Sequence, residues 1–427
     1  MKSNETLLSP ASSGAAMGAA NHGELSESDS VKAAASLPAA TLTTLDLLQR
    51  LQGGALQVNL PSGVQHLVGH GDLCATLSVH ELRTFERALG EGDIGFAESY
   101  LDGDWETDNL SALLTLLAEN RERIAQAIHG RWWPVLRHKI MHWTRANTRR
   151  GSRRNILSHY DLGNNFYQHW LDPSMTYSSA LFTKHSGGSA TLEEAQRAKY
   201  RHILDTLKPK PGQTILEVGC GWGGFAEVAA RDYGCRVHGV TLSPAQLEFA
   251  QARAQKGGWS DRAHFELLDY RDLRCTYDHI VSIEMFEAVG ERYWPSYFRQ
   301  LRRCLKPGGR ALVQTITIAN ERFSAYRRGT DFIQRHIFPG GMLPSPQIFE
   351  DRANKADFQI IERLSFGADY ARTLAQWRDR FESAWPQIAA LGFDARFRQL
   401  WRFYLAYCEA GFTTRATDVY QFVLEPF

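Results

Sequence analysis

From Thr214 to Ile318 the hydrophobic period of the chain switches repeatedly, and this alternation restricts the fold more than any other feature. TILEVGCG, CRVHGVTL, HFELLDY, YDHIVSIEM and RALVQTITI read as strands, while SPAQLEFAQARAQ and ERYWPSYFRQLRRCL between them carry helical spacing. Strands separated by helices in this way join through crossovers, so a doubly wound, Rossmann-like α/β sheet is expected. VYQFVLEPF reads as a further strand near the C-terminus. TLEEAQRAKYRHILDTL reads as a helix leading into the sheet, with Thr191 and Glu194 spaced as a capping box.

The flanking segments differ in composition. Residues 1–44 are rich in Ala, Ser and Gly without a compact apolar block, which predicts a disordered tail rather than a signal peptide. Residues 45–128 mix a strand-like start, a Gly-rich turn region and the helical stretch LSALLTLLAENRERIAQAI, which predicts a small α+β domain. Residues 129–158 form a basic linker, whose HGRWWPVLRHKIMHWTRANTRRGSRR holds eight Lys/Arg, three Trp and no acid. An anionic membrane surface attracts such a segment by about 1 kcal/mol per nearby Lys/Arg, with Trp at the headgroup level. A solvated linker helix is the equal alternative. Residues 159–427 make the expected catalytic domain, in which FSAYRRGTDFIQRHIFPGGMLPS has the aromatic, Gly/Pro-rich character of a lid or binding loop. Helices are expected around LAQWRDRFESAW and FRQLWRFYLAYC.

Charge and cysteine usage exclude several classes. Forty-eight basic against 47 acidic side chains leave a net charge of +1, with no basic stripe for nucleic acid. Cys74, Cys220, Cys235, Cys275, Cys304 and Cys408 show no Cys-x-x-Cys or Cys/His pairing, so reduced thiols, a cytoplasmic setting and no metal are expected. No apolar run approaches the roughly 18 residues of a spanning helix.

LEVGCGWGG, residues 216–224, sits where the first strand meets its helix. Glycines at 219, 221 and 223 let backbone approach a ligand at the carboxyl end of the sheet. There is no Lys-Ser/Thr of a phosphate loop, and the second strand ends in GVTLS rather than in an acid for a dinucleotide ribose. A small adenosyl ligand without phosphates fits this pattern.

HYDLGNNFY, LDPSMTYSSALF, LEVGCGWGG, GVTLSPAQ, IVSIEMFEAVG, IFPGGMLPS and FGADY, in this order, make the chain from about Leu45 onward resemble the cyclopropane-fatty-acyl-phospholipid synthases and the related mycolic acid cyclopropane synthases. ESYLDGDW resembles that family's small N-terminal domain, with Asp104-Trp105 in place of its aromatic pair. The resemblance implies a seven-stranded class I methyltransferase sheet with a helical lid and S-adenosylmethionine as cofactor. Unsaturated phospholipids and an anionic membrane surface are the implied partners, reached peripherally from the cytoplasmic face, and a homodimer is a further candidate assembly. Carried over by position, the cofactor residues are Tyr177, Ser178, Gly219, Gly221, Thr241, Leu242, Gln246, Tyr270 and Ile283. Arg271 and Asp272 read equally as a surface ion pair.

The implied reaction moves a methyl group to a lipid double bond and then removes a proton from the resulting cation. Tyr177, Phe182, Phe286, Phe338 and Tyr370 are candidate aromatics for a dry, cation-stabilising site, against the alternative that each is core. In the family a bound bicarbonate accepts the proton, and the matching positions here are Glu287, Tyr370, Ile316, Ser179 in place of a Cys and Gln314 in place of a His. Gln314 stands out independently, as an amide on the face of ALVQTITI shared with Leu312, Ile316 and Ile318. Buried without partners it would cost roughly 1–3 kcal/mol. Bicarbonate held by Glu287, Tyr370 and Gln314 is the expected arrangement, with Glu284 as a surface or capping carboxylate or, alternatively, the acceptor itself. Cyclopropanation is the leading reading. A methyl-branched product, methylation of a soluble amine and a catalytically silent lipid-binding protein are the rivals.

Overall fold

In the sheet that dominates the structure, seven strands lie in the order β10-β11-β9-β8-β5-β6-β7. They are β5 (Thr214–Val218), β6 (Arg236–Thr241), β7 (Ala263–Leu267), β8 (Tyr277–Ile283), β9 (Leu305–Ile318), β10 (Phe358–Ser365) and β11 (Thr417–Pro426). The pairs from β7 to β9 are parallel, whereas β11 runs antiparallel to both β9 and β10. This computed structural model describes residues 37–128, 162–182 and 190–427, so the basic linker expected at 129–158 lies outside the described residues.

Alternation along the strands separates two apolar layers. Leu216, Ile280, Ala311 and Val313 pack with Phe286, Trp294, Tyr297 and Phe349 in one core cluster, while Ile215, Val281 and Leu312 pack with Ile203, Phe225 and Ala229 in another. Helices covering both faces explain the near-continuous apolar character of these strands. The helix Leu192–Leu207 starts with the expected capping box, Thr191 and Glu194 each satisfying the other's backbone N–H. The helix Pro244–Gly257 is capped by Ser243, with Pro in its first turn.

The strand-like segment missing from the sequence reading is β10. Its residues are mostly half-buried or exposed because it lies at the sheet edge, so FQIIERLS lacks the apolar run that marks the inner strands. The FSAYRRGTDFIQRHIFPGGMLPS segment is also more regular than a loop, beginning within the helix Asn320–Arg328 and including a π-helical turn at Ile333–Ile337.

N-terminal to these elements, β1 (Gly54–Asn59), β2 (Gln65–His70), β3 (Leu73–Val79) and β4 (Trp105–Glu106) form a sheet in the order β2-β1-β3-β4. The first described helix, Ala39–Leu48, begins before the expected boundary at Leu45 and buries Thr41, Leu45, Leu47 and Leu48. The helical stretch after Leu110 is interrupted at Asn120, whose side chain bonds both the N–H and the carbonyl of Gln52 at 3.0 and 2.9 Å. Asp104 is buried beneath Arg83, and Trp105 stacks on Phe96 with ring centroids 4.3 Å apart. The helix Leu110–Glu119 packs on Ala395–Thr413, where Ser111 donates to Glu409 at 2.7 Å and Tyr407 donates to Asp93 at 2.7 Å. Ala39–Phe427 thus forms one compact unit.

Candidate active site

A cavity opens at the carboxyl ends of β5, β6 and β8, where the strand order changes direction. Doubly wound sheets bind ligands in this crevice. The nine positions assigned to the cofactor all line it. Gly219 and Gly221 form its floor in the turn after β5; Gly219 has φ of 83°, and a Cβ there would lie 3.0 Å from the Met285 side chain. Thr241 and Leu242 stand at the end of β6, and the Thr241 hydroxyl donates to Gln246 at 2.9 Å. Tyr270 contributes one wall and is braced edge-on by Tyr297 at 5.5 Å. Ile283 ends β8, and Tyr177 and Ser178 approach from the segment preceding the helix Leu192–Leu207. Arg271 pairs with Asp269 at 2.5 Å, and Asp269 caps the short turn that carries Arg271.

Two further ionisable groups lie at this end outside the assigned positions: Lys199, and Glu217, the acid that precedes the glycines in the sequence. Lys199 is fully buried; its ammonium donates to the Ser178 hydroxyl at 2.5 Å and to Gln196 at 2.8 Å, and burial pushes its pKa down to about 7. Its signal was a Lys on the stripe Leu192, Ala195, Lys199, Ile203 of an amphipathic helix. Glu217, one residue before the end of β5, lines the cavity, and burial holds its carboxyl well above the usual range. Its Oε2 has no partner among the described residues.

The far end of the cavity is organised around Glu284, the residue directly after β8. Oε1 accepts from the Ser179 backbone N–H at 2.9 Å and from Gln314 Nε2 at 2.7 Å, and Oε2 accepts from the Tyr370 hydroxyl at 2.6 Å. Its φ of 49° puts a non-glycine residue in the left-handed region, a conformation that costs roughly 1–3 kcal/mol and is held only where the surroundings fix it. Here the Glu284 N–H is tied to the Gln314 carbonyl at 2.8 Å. Burial raises the Glu284 pKa, opposed by the charge of Lys199 and by the three hydrogen bonds. Tyr370 stays a neutral donor because burial and the adjacent carboxylate both raise its pKa.

The amide of Gln314 is therefore fully explained. A carboxylate only accepts, so Gln314 turns its NH2 to Glu284 and its carbonyl to Gln421 Nε2 at 2.9 Å. Gln421 in turn presents its carbonyl to His202 Nδ1 at 2.9 Å, which fixes the hydrogen on that nitrogen.

Glu287 does not join this group. Its Oε1 accepts from the Ile316 N–H at 2.5 Å and from Thr315 at 3.0 Å, while Oε2 is buried without a partner among the described residues. Burial and the neighbouring Glu284 charge push its pKa up to about 8. The five residues expected around one anion thus divide: Ile316 meets Glu287, whereas Ser179, Gln314 and Tyr370 meet Glu284. Glu284 is a cavity-lining carboxylate rather than a surface cap because the left-handed turn after β8 points it back under Tyr370.

The candidate aromatics divide as well. Phe286 lies wholly in the core against Trp294 and Tyr297, and Phe182 sits under the Arg372 guanidinium at 3.8 Å. Tyr177 and Tyr370 both pack on Trp377, with centroids 5.3 and 6.1 Å away. Tyr404 shares a 2.7 Å hydrogen bond with Tyr177 and packs edge-on against Phe338, and Phe412 stacks on Tyr370 at 4.3 Å. Trp377, Tyr404 and Phe412 come from the two long C-terminal helices, whose aromatic content was the available signal.

Residues 147–422 match the family described as mycolic acid cyclopropane synthetase. The chain belongs to this family. Among curated relatives, tuberculostearic acid methyltransferase UfaA1 of Mycobacterium tuberculosis is 38% identical over 82% of this chain and 83% of its own length. Cyclopropane-fatty-acyl-phospholipid synthase of Escherichia coli K12 is 35% identical over 83% of this chain and 88% of its own. Among solved structures, mycolic acid cyclopropane synthase CmaA1 in complex with SAH and CTAB superposes with a TM-score of 0.60 at 32% identity, covering 64% of this chain and 97% of that one. The protein is an S-adenosylmethionine-dependent methyltransferase with the family's mixed sheet. Its cavity fits that cofactor, since the unpartnered, buried Glu217 oxygen offers an acceptor for a cationic amine beside the glycine turn. Among the described residues no helix is long and apolar enough to cross a membrane.

Proposed function

We propose that the protein transfers a one-carbon unit from S-adenosylmethionine to the double bond of an unsaturated acyl chain carried on a phospholipid. The observation that carries this reading is a cofactor cavity whose far end joins one carboxylate, Glu284, to the aromatic group of Tyr370, Trp377 and Tyr177. An alkene is a weak nucleophile, so the protein must align it and keep water out. Tyr177, Trp377 and Tyr404 offer an apolar wall for an acyl chain, and their faces stabilise a developing cation. The names of the relatives from E. coli and M. tuberculosis, a cyclopropane-fatty-acyl-phospholipid synthase and a tuberculostearic acid methyltransferase, support the same substrate class.

When bound, S-adenosylmethionine would supply an electrophilic methyl, toward which Tyr177 and Trp377 would align the alkene so that its π pair could form the new C–C bond as the C–S pair returned to sulfur. A proton must then leave. Loss from the transferred methyl closes a cyclopropane, the leading product. Loss from a neighbouring chain carbon gives a methyl-branched alkene, and this second reading is favoured by the Gln314–Glu284 pairing and by the similarity to the tuberculostearic acid methyltransferase. Bicarbonate would have to displace Glu284 from Ser179, Gln314 and Tyr370 to act here. The substrate partner is an unsaturated phospholipid in an anionic bilayer met peripherally from the cytoplasmic side.

Incubation with unsaturated phospholipid vesicles and methyl-labelled S-adenosylmethionine, followed by NMR of the acyl chains, tests the assignment. Upfield ring protons identify cyclopropanation, and a vinylic signal identifies the branched product. Label entering a panel of soluble amines and not the lipid overturns the lipid reading in favour of N-methylation.

A further inference from the structure

We propose that Glu284 is a built-in proton acceptor, so that the enzyme completes its reaction without a bound bicarbonate. This rests on the methyl-transfer reading above and deepens it. The geometry gives Glu284 each of the features the step requires. It lines the cavity directly after β8, at the end where Tyr370 and Tyr177 stand, whereas Glu217 lies below the glycine turn, and Asp269 is neutralised by Arg271. Its partners Ser179 N–H, Gln314 Nε2 and the Tyr370 hydroxyl are three neutral donors, which orient a carboxylate without giving it a bonded cation. These are the same donors expected to hold an exogenous anion, and a side chain of this protein already fills them.

Two further observations point the same way. Glu284 is held at φ of 49°, and strain of this kind persists where the surroundings over-determine it, which is common at reacting groups. Glu284 and Glu287 also sit in different surroundings: burial and the neighbouring Glu284 push Glu287 up to about 8, whereas at Glu284 the rise from burial is opposed by the Lys199 charge and by hydrogen bonds from Tyr370, Ser179 and Gln314. Environments that push two neighbouring carboxyls apart separate an acceptor from a bystander.

In the step itself, a C–H bond of the substrate cation breaks and its proton passes to a Glu284 oxygen. The C–H electron pair closes the ring, or forms a new double bond when the proton comes from the chain. Glu284 becomes a neutral acid and afterwards releases the proton to solvent. Gln314 and Tyr370 are positioning residues that act through it, and Gln421 and His202 hold Gln314 in turn.

The test measures label transfer to phospholipid vesicles by the full chain in CO2-free buffer, with and without added bicarbonate. Wild type should turn over equally in both, within about twofold. Glu284→Gln keeps the shape and should lose roughly 10²- to 10⁴-fold in kcat while its affinity for S-adenosylmethionine, measured by calorimetry, stays within about threefold. Glu284→Gly suits the left-handed backbone and opens the three donors, so its activity should be negligible without bicarbonate and restored by bicarbonate or formate, a rescue that loss of a merely structural contact would not give. Wild-type turnover that needs bicarbonate, or a Glu284→Gln enzyme of near wild-type kcat, overturns the assignment. The wild-type comparison requires no variant and stands even if a substitution unfolds the protein. A wild type that transfers no label to lipid overturns the functional reading and this assignment with it, whereas bicarbonate-dependent transfer overturns this assignment alone.

Discussion

The two ends of the cavity are built differently. At the cofactor end the groups come from short runs at strand ends: Gly219 and Gly221 after β5, Thr241 and Leu242 at the end of β6, and Tyr270 three residues after β7. At the proton-accepting end, one carboxylate gathers Ser179, Gln314 and Tyr370, which lie 105, 30 and 86 residues away in the chain. The first end works by backbone shape and tolerates little added volume. The second works by donor geometry, where small electronic changes are felt without any change of shape. Substitutions should therefore separate cleanly into those that alter cofactor affinity and those that alter turnover.

The largest effect is expected at Gly219. Gly219→Val combines a left-handed backbone penalty with a Cβ about as close as 3.0 Å to Met285. Together these amount to roughly 2–5 kcal/mol, so calorimetry should show S-adenosylmethionine affinity reduced at least about 30-fold. Unchanged affinity would break the claim that backbone shape defines this end.

Tyr370→Phe should do the converse. It removes one hydrogen bond to the Glu284 carboxylate, about 1.5–3 kcal/mol, and should lower kcat roughly 10- to 100-fold with cofactor affinity unchanged. The pH–rate profile sharpens the same contrast. Glu284 accepts a proton only when ionised and its pKa is raised, so kcat should fall as pH falls, with its midpoint above the ordinary glutamate value of about 4.3. In Glu284→Gln that acid limb should vanish from the residual rate.

Gln421→Leu is expected to be milder. It leaves the Gln314 carbonyl without its donor, which should reduce stability by roughly 1–3 kcal/mol in thermal melts and kcat by only a few-fold.

Glu287→Gln should leave turnover nearly unchanged and affect mainly the pH dependence of stability. Folded Glu287 keeps its proton up to about 8, whereas the unfolded chain releases it near 4.5. Its contribution to stability is therefore complete below 4.5 and lost as pH rises to about 8. The Gln variant, which mimics the protonated form, should flatten the decline in Tm across that window relative to wild type. A kcat loss as large as that of Glu284→Gln would return the catalytic role to Glu287.

Much of the cofactor end was readable because its signals are local. A glycine turn between an apolar strand and a helix, followed by Thr-Leu-Ser after the next strand, has a physical reason within a few residues. The edge strand β10 was not readable, since an edge position removes the apolar periodicity that identifies inner strands. Lys199 was visible as a basic residue on a buried stripe, but the stripe alone does not say that Ser178 and Gln196 receive it. Glu284 and Glu287 are of one residue type and three positions apart, and nothing in SIEMFEAVG distinguishes them.

The sequence by itself determined the doubly wound sheet and the glycine turn at its carboxyl edge, because strand period and glycine placement act over short stretches of chain; the other cavity-lining residues were implied by the family resemblance. Only the tertiary structure decided which carboxylate faces the reacting end and what Gln314 is for. A left-handed turn at Glu284 directs its side chain toward Tyr370, and β9 lies between β8 and β11 so that Gln314 is shared by Glu284 and Gln421. Hydrogen bonds between residues so far apart in the chain depend on register and turn conformation, which no local pattern specifies.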